Sequence, residues 1–85
     1  MNTIDWKPKA LKQAEKIKDK ASRQRVYTES QVLTSFPHCQ NVKKLTNHEY
    51  NYRLRVGDYR VFFEFDGEVH IVSIEEVKKR NESTY

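Results

Sequence analysis

From residue 50 the chain alternates with a period of two through "YNYRLRVGDYRVFFEFDGEVHIVSIEEV". Successive side chains on a strand point to opposite faces, so this period sorts residues into two sets. Tyr50, Tyr52, Leu54 and Val56 share one face, and Asn51, Arg53 and Arg55 share the other. Gly57-Asp58 then signals a hairpin, because glycine takes positive φ at little cost. Beyond it Tyr59, Val61, Phe63 and Phe65 alternate with Arg60, Phe62 and Glu64. Asp66-Gly67 is a second and stronger hairpin signal. "EVHIVSIEEV" is the third strand, and its alternation slips around Ser73–Glu75, which predicts a bulge or the strand end. The pattern describes an antiparallel meander with one apolar face and one face that carries cations.

An apolar sheet face needs a cover, and the upstream residues supply one. In "NTIDW", Ile4 and Trp6 fall on one side of a short strand. Pro8 suits the first turn of a helix, where its missing N–H costs nothing. Leu11, Ala14, Ile17 and Ala21 then form a narrow stripe at helical spacing. Ser22 is a candidate N-cap for a second helix, "RQRVYTESQVLTSF", with Val26, Leu33, Tyr27 and Phe36 on its buried side. Pro37 ends it. Residues 38–48 read as a connection with a short extended piece at Val42–Leu45. The predicted fold is α+β in one domain, 1–85: an N-terminal strand and a helical hairpin packed on an antiparallel sheet, in the order β-α-α-β-β-β.

Composition bounds the function. A chain of 85 residues buries only roughly 60–65% of its unfolded surface. Five Tyr, four Phe and one Trp supply bulky core material in a sequence that is only 36% hydrophobic. Such a small, polar domain leaves room for a partner. The net charge of +4 favours an anionic one. Cys39 is the single cysteine, so no intrachain disulfide can form. A thiol nucleophile would need a base facing it, and sequence neighbours such as His38 and Cys39 rarely face each other. His38-Cys39 and His48 lack a second cluster at ligand spacing, so neither a metal nor another cofactor is expected. Two glycines exclude a glycine-rich phosphate loop. No apolar leader or membrane-length stretch is present, so a soluble cytoplasmic protein is expected.

The cations on the sheet pose the sharper question. Arg53 and Arg55 project to the same side of one strand, and Arg60 can join them on the paired strand. Like charges placed together destabilise unless an anion or a carboxylate compensates. Glu64, Glu75 and Glu76 could compensate, giving a solvated face with salt bridges. The alternative is a phosphate-binding face, since arginine's planar fork matches phosphate oxygens. Tyr50, Tyr52 and Phe62 would then offer stacking surfaces for bases. Spacing alone leaves both open.

"RLRVGDYRVFFEF", followed by "KKRNESTY" and preceded by "IDWKPKALKQAEKI", resembles the RelE/ParE superfamily of toxins from bacterial toxin–antitoxin pairs. The likeness covers nearly the whole chain. Its RelE branch implies a metal-independent endoribonuclease that cleaves messenger RNA in the ribosomal A site. There the RNA's own 2′-OH attacks the adjacent phosphate, leaving a 2′,3′-cyclic phosphate and a 5′-OH. By resemblance, Arg60 stabilises the phosphate, Arg80 lies near the leaving group, and Tyr85 stacks on or orients a base. Arg53 matches a position that is often basic. Asn51 departs from the pattern, standing where RelE often has a cation. The general base is open between Lys79 and Glu49, which has His48 beside it. Arg55, Lys78 and Tyr52, with Lys9, Lys12 and Lys16 of the first helix, are the candidates for contacting RNA or the ribosome. An acidic antitoxin is the implied protein partner. The ParE branch implies gyrase inhibition instead, and a non-catalytic RNA-binding member is a third reading.

Overall fold

The computed structural model describes residues 1–80. The elements are β1 (Thr3–Trp6), α1 (Pro8–Glu15), α2 (Lys20–Ser30), a 3-10 turn (Gln31–Ser35), β2 (Val42–Lys44), β3 (Tyr52–Val56), β4 (Tyr59–Asp66) and β5 (Ile71–Lys79). They form a five-stranded sheet in the order β1-β5-β4-β3-β2. β1 runs parallel to β5, and the other pairings are antiparallel. The meander is therefore as expected from the alternation. The extended piece at Val42–Lys44 is an additional edge strand on β3, so the expected element order gains one strand. His70 does not lie in the third strand as its sequence position suggested; it occupies the preceding turn with φ 56°.

The helices are shorter and capped differently than the periodicity predicts. α1 ends at Glu15, and it buries Ala10 and Ala14 while Leu11 stays 38% exposed. Two alanines on the contact face let α1 approach β5 closely. Gln13 Oε1 accepts the Val77 N–H at 2.7 Å, occupying a strand group that β1 does not reach. The cap of α2 is Asp19 and not Ser22. Asp19 Oδ2 accepts from both the N–H and the hydroxyl of Ser22, at 3.1 and 2.6 Å. Aspartate caps as well as serine does, and the residue three positions on supplies the donor.

The core lies between this helical layer and one face of the sheet. Val26 and Leu33 from the helical side meet Leu54, Val56, Val61, Phe63, Val72, Ile74 and Val77. Phe36 sits edge-on to Tyr52, Phe63 and Phe65, with ring centroids 5.0–5.2 Å apart. Edge-to-face geometry of this kind adds to the area that the rings bury.

The pairing of β4 with β5 shifts between Phe62 and Phe63. Phe63 faces Ile74, Phe62 faces Glu76, and Glu75 is the extra residue of a bulge. The slip in the sequence at Ser73–Glu75 is this bulge. Its effect is to exchange the faces for the rest of β5. Val77 and Lys79 turn to the helical side, while Glu76 and Lys78 turn to the open side.

Candidate phosphate-binding face

The open face carries cations in cross-strand register. Arg55 on β3 pairs with Arg60 on β4, and Arg60 pairs with Lys78 on β5. Lys43 on β2 pairs with Arg53 on β3. Arg80 follows β5, and its N–H donates to the Asp58 carbonyl, which ties it beside the β3–β4 turn. Gly57 in that turn adopts φ 55°, and the space where a side chain would begin is taken by Arg25. Arg53, Arg55, Gly57, Tyr59, Arg60 and Arg80 together line a small depression of about 90 Å³.

No carboxylate answers these arginines among the described residues. The ion pairs there are Lys7–Asp5, Lys9–Glu76, Arg25–Glu29 and Lys78–Glu76. Glu64 is held by Asn51, whose side-chain and backbone N–H groups donate at 2.8 and 3.2 Å. Glu76 is 6% exposed and sits between Lys9 and Lys78, at 3.3 and 3.5 Å. Burial pushes its carboxyl up, but the Lys9 hydrogen bond and the charges of Lys78 and Lys9 outweigh that, leaving it below the ordinary value. The arginines instead act on one another. Burial lowers the pKa of Arg53, and Arg60, Arg55 and Arg80 lower it further. It remains a cation at physiological pH. Its buried Nε finds no hydrogen-bond acceptor among the described residues. A buried charged donor left without an acceptor costs free energy, and an arriving anion would recover it.

Comparison with known proteins decides the family. The family model described as the ParE toxin of the type II toxin–antitoxin system parDE matches residues 4–84. The chain belongs to the RelE/ParE superfamily of type II toxins. No curated protein matches its sequence. Among solved structures, RelE in the archaeal RelE–RelB complex from Pyrococcus horikoshii is 23% identical, with a TM-score of 0.78 over 96% of this chain and 98% of that one. The isolated E. coli RelE toxin is 20% identical, with a TM-score of 0.78 over 99% and 89%. The RelBE2 toxin–antitoxin complex from Mycobacterium tuberculosis gives 21%, 0.66, and 93% and 98%. At these identities the likeness is one of fold.

The toxin's expected site residues divide by the face they occupy. Arg53, Arg55, Arg60 and Arg80 converge on the depression. Lys78 shares their face, next to Arg60. Lys79 does not: the bulge turns it toward the helices, where it lines a groove with Lys16, Ile17 and Tyr59. Tyr52 is also misplaced as an RNA contact. It stacks on Phe63 with centroids 5.3 Å apart, in the core and away from the arginines. Its own strand parity carries that signal, since it alternates with Arg53. Lys12 on α1 and Lys16 just after it are exposed, in the helical layer and away from the arginine face. Lys9 reaches round the β5 edge and is engaged by Glu76. Glu49 is exposed just before β3. Tyr85 lies outside the described residues. Burial raises the Cys39 thiol's pKa, which opposes a nucleophilic role. Among the described residues no three metal-ligating side chains cluster, and no helix is long and apolar enough to cross a membrane.

One contributor was not legible in the sequence. Lys43 joins the arginine face only because the short β2 pairs with β3. Glu76, expected as a compensating carboxylate, pairs with Lys9 and Lys78 and not with the arginines, on the face to which the bulge turns it.

Proposed function

We propose that this toxin is a ribosome-dependent messenger-RNA endonuclease, acting in the cytoplasm and neutralised by an acidic antitoxin. The observation that supports the reading best is the arginine depression, with no carboxylate partner among the described residues. In the proposed reaction the 2′-oxygen bonds to phosphorus as its proton passes to a water molecule, and the bond to the 5′-oxygen breaks as that oxygen takes a proton from water. The phosphorane between these events is dianionic. Arg53 and Arg60 would hold its oxygens, and Arg80 would face the leaving oxygen. Fixed cations aimed at charge that develops in the transition state are the strongest single source of catalysis. Lys78 replaces Lys79 as the lysine of the site, because it shares the arginines' face. Tyr85 retains its stacking role from the resemblance alone. Arg55, Lys43, Lys12 and Lys16 would meet ribosomal RNA through charge. The solved RelE relatives from Pyrococcus horikoshii and Mycobacterium tuberculosis are complexes with antitoxin. A similar partner here would be acidic where it covers the arginine face.

The matched family model is named for ParE, which favours gyrase inhibition as the second reading. One experiment separates the two. The protein is added to a cell-free translation system and messenger-RNA ends are mapped by primer extension, alongside a gyrase supercoiling assay. Discrete cuts within translated codons are expected, together with little cleavage of naked RNA. Intact messenger RNA with inhibited gyrase would establish the second reading; neither effect would leave a non-catalytic binder.

A further inference from the structure

The open face holds one assembly that the arginines do not explain. Phe62 points away from the helices and yet is only 5% exposed. Its cover is the loop between β2 and β3. The Leu45 N–H donates to the Asn51 carbonyl and closes that loop, and Asn47 takes φ 53° within it. Asparagine tolerates this left-handed conformation better than most residues. The loop brings the His48 ring nearly parallel onto Phe62, with centroids 5.0 Å apart and planes 14° apart. Tyr50 flanks both rings, 5.8 Å from Phe62 and 6.1 Å from His48. The Tyr50 N–H donates to His48 Nδ1 at 3.0 Å. That bond fixes the ring's orientation and puts the proton of the neutral imidazole on Nε2.

His48 is exposed, so its ring is seated on one side and open on the other. A flat aromatic surface held in place has already lost the rotamer freedom that a stacking partner would otherwise remove. The surroundings indicate which partner. Phe62 stands opposite Arg53 on β3, and Lys43 stands beyond Arg53 on β2. Arg55 and Arg60 lie two strand positions further on, about 6.8 Å away. That interval is of the order separating a nucleotide's phosphate from its base. Stacking surface beside a cationic groove is how single-stranded nucleic acid is bound without reading sequence.

We propose that His48, seated on Phe62 and braced by Tyr50, is a stacking platform for an unpaired RNA base whose phosphate lies in the arginine depression. The identity of the ligand as RNA rests on the ribonuclease reading, but the platform can be tested without cleavage. The probe is a short 2′-O-methyl oligoribonucleotide, which lacks the attacking hydroxyl, and the same strand with one abasic position. Binding to the purified full-length toxin is followed by NMR shifts up to millimolar strand. The parent should bind the intact strand about tenfold more tightly than the abasic one, the lower part of the range for one stacked base. His48→Ala should abolish that preference and leave the abasic affinity and the salt dependence unchanged. His48→Phe should restore it. The platform is overturned if the parent does not discriminate, if neither strand binds, or if His48→Ala keeps the preference. A toxin that discriminates but never cuts translated messenger RNA would retire the ribonuclease reading alone. One that cuts but does not discriminate would retire the platform alone.

Discussion

The two faces of β3, β4 and β5 are made from alternate residues of the same strands, and they are under opposite demands. On the helical side Leu54, Val61, Phe63 and Ile74 are at most 1% exposed and every contact favours folding. On the open side Arg55, Arg60 and Lys78 stand in cross-strand register, an arrangement that opposes folding. A strand that had only to fold would not place three cations in a row. The contrast teaches that stability is generated on one face and spent on the other, which is where function should lie.

The largest effect that sharpens the contrast is expected on the buried side. Phe63 is fully buried and touches Phe36 and Tyr52. Phe63→Ala should cost about 3–5 kcal/mol. For 85 residues the whole stability is only about 4–13 kcal/mol. Urea unfolding should therefore show a variant that has lost a large share of its stability, and a loss below about 1 kcal/mol would mean this is not the core.

On the open side the same measurement should run the other way. Arg60→Ala and Arg80→Ala should each slow messenger-RNA cleavage by about 10²–10³-fold, in line with removing an oxyanion donor. Relief of repulsion should meanwhile hold or raise the unfolding free energy of Arg60→Ala, by about 0.5 kcal/mol. A variant that loses activity and stability together would show that Arg60 supports the fold. One that cleaves like the parent would remove it from the site.

Much of this division was legible in the sequence, because a period of two separates faces without reference to tertiary structure. Arg53, Arg55 and Arg60 were readable as one set for that reason. Lys78 and Lys79 were not. Adjacent residues lie on opposite faces, and which lysine joins the arginines depends on whether Glu75 occupies a register position or is extra. The alternation showed a slip there, but a bulge and a strand end predict different faces. The cap at Asp19 was missed because Asp19 and Ser22 are both good capping residues, and only packing chooses where the helix begins. Lys43 was missed because three residues of edge strand carry too little pattern to be read.

The bulge gives a smaller and more pointed test. If it sets the face, Lys78→Ala should reduce cleavage about tenfold, the worth of one charge-assisted contact. Lys79→Ala should stay within about twofold, as surface changes away from a site usually do. The reverse result would mean that β5 continues without the bulge, and that Lys79 joins Arg60.

The smallest expected effect concerns the one buried carboxylate on the open side among the described residues. Glu76 is held below the ordinary carboxylate value in the folded protein, despite burial, by Lys9 and Lys78. A depressed folded pKa means that the unfolded chain takes up the proton first as pH falls. Glu76 therefore adds stability above the unfolded value, near 4.5, and that contribution is lost as pH falls through the lower folded value. Glu76→Gln keeps the shape and removes the charge. Thermal unfolding of parent and variant should differ by about 4 °C or less near neutral pH and converge in acid. Curves that stay parallel at every pH would mean that Glu76 acts through packing. In that case the lysines would be ordered by something other than its charge, and the open side would lack this source of electrostatic support.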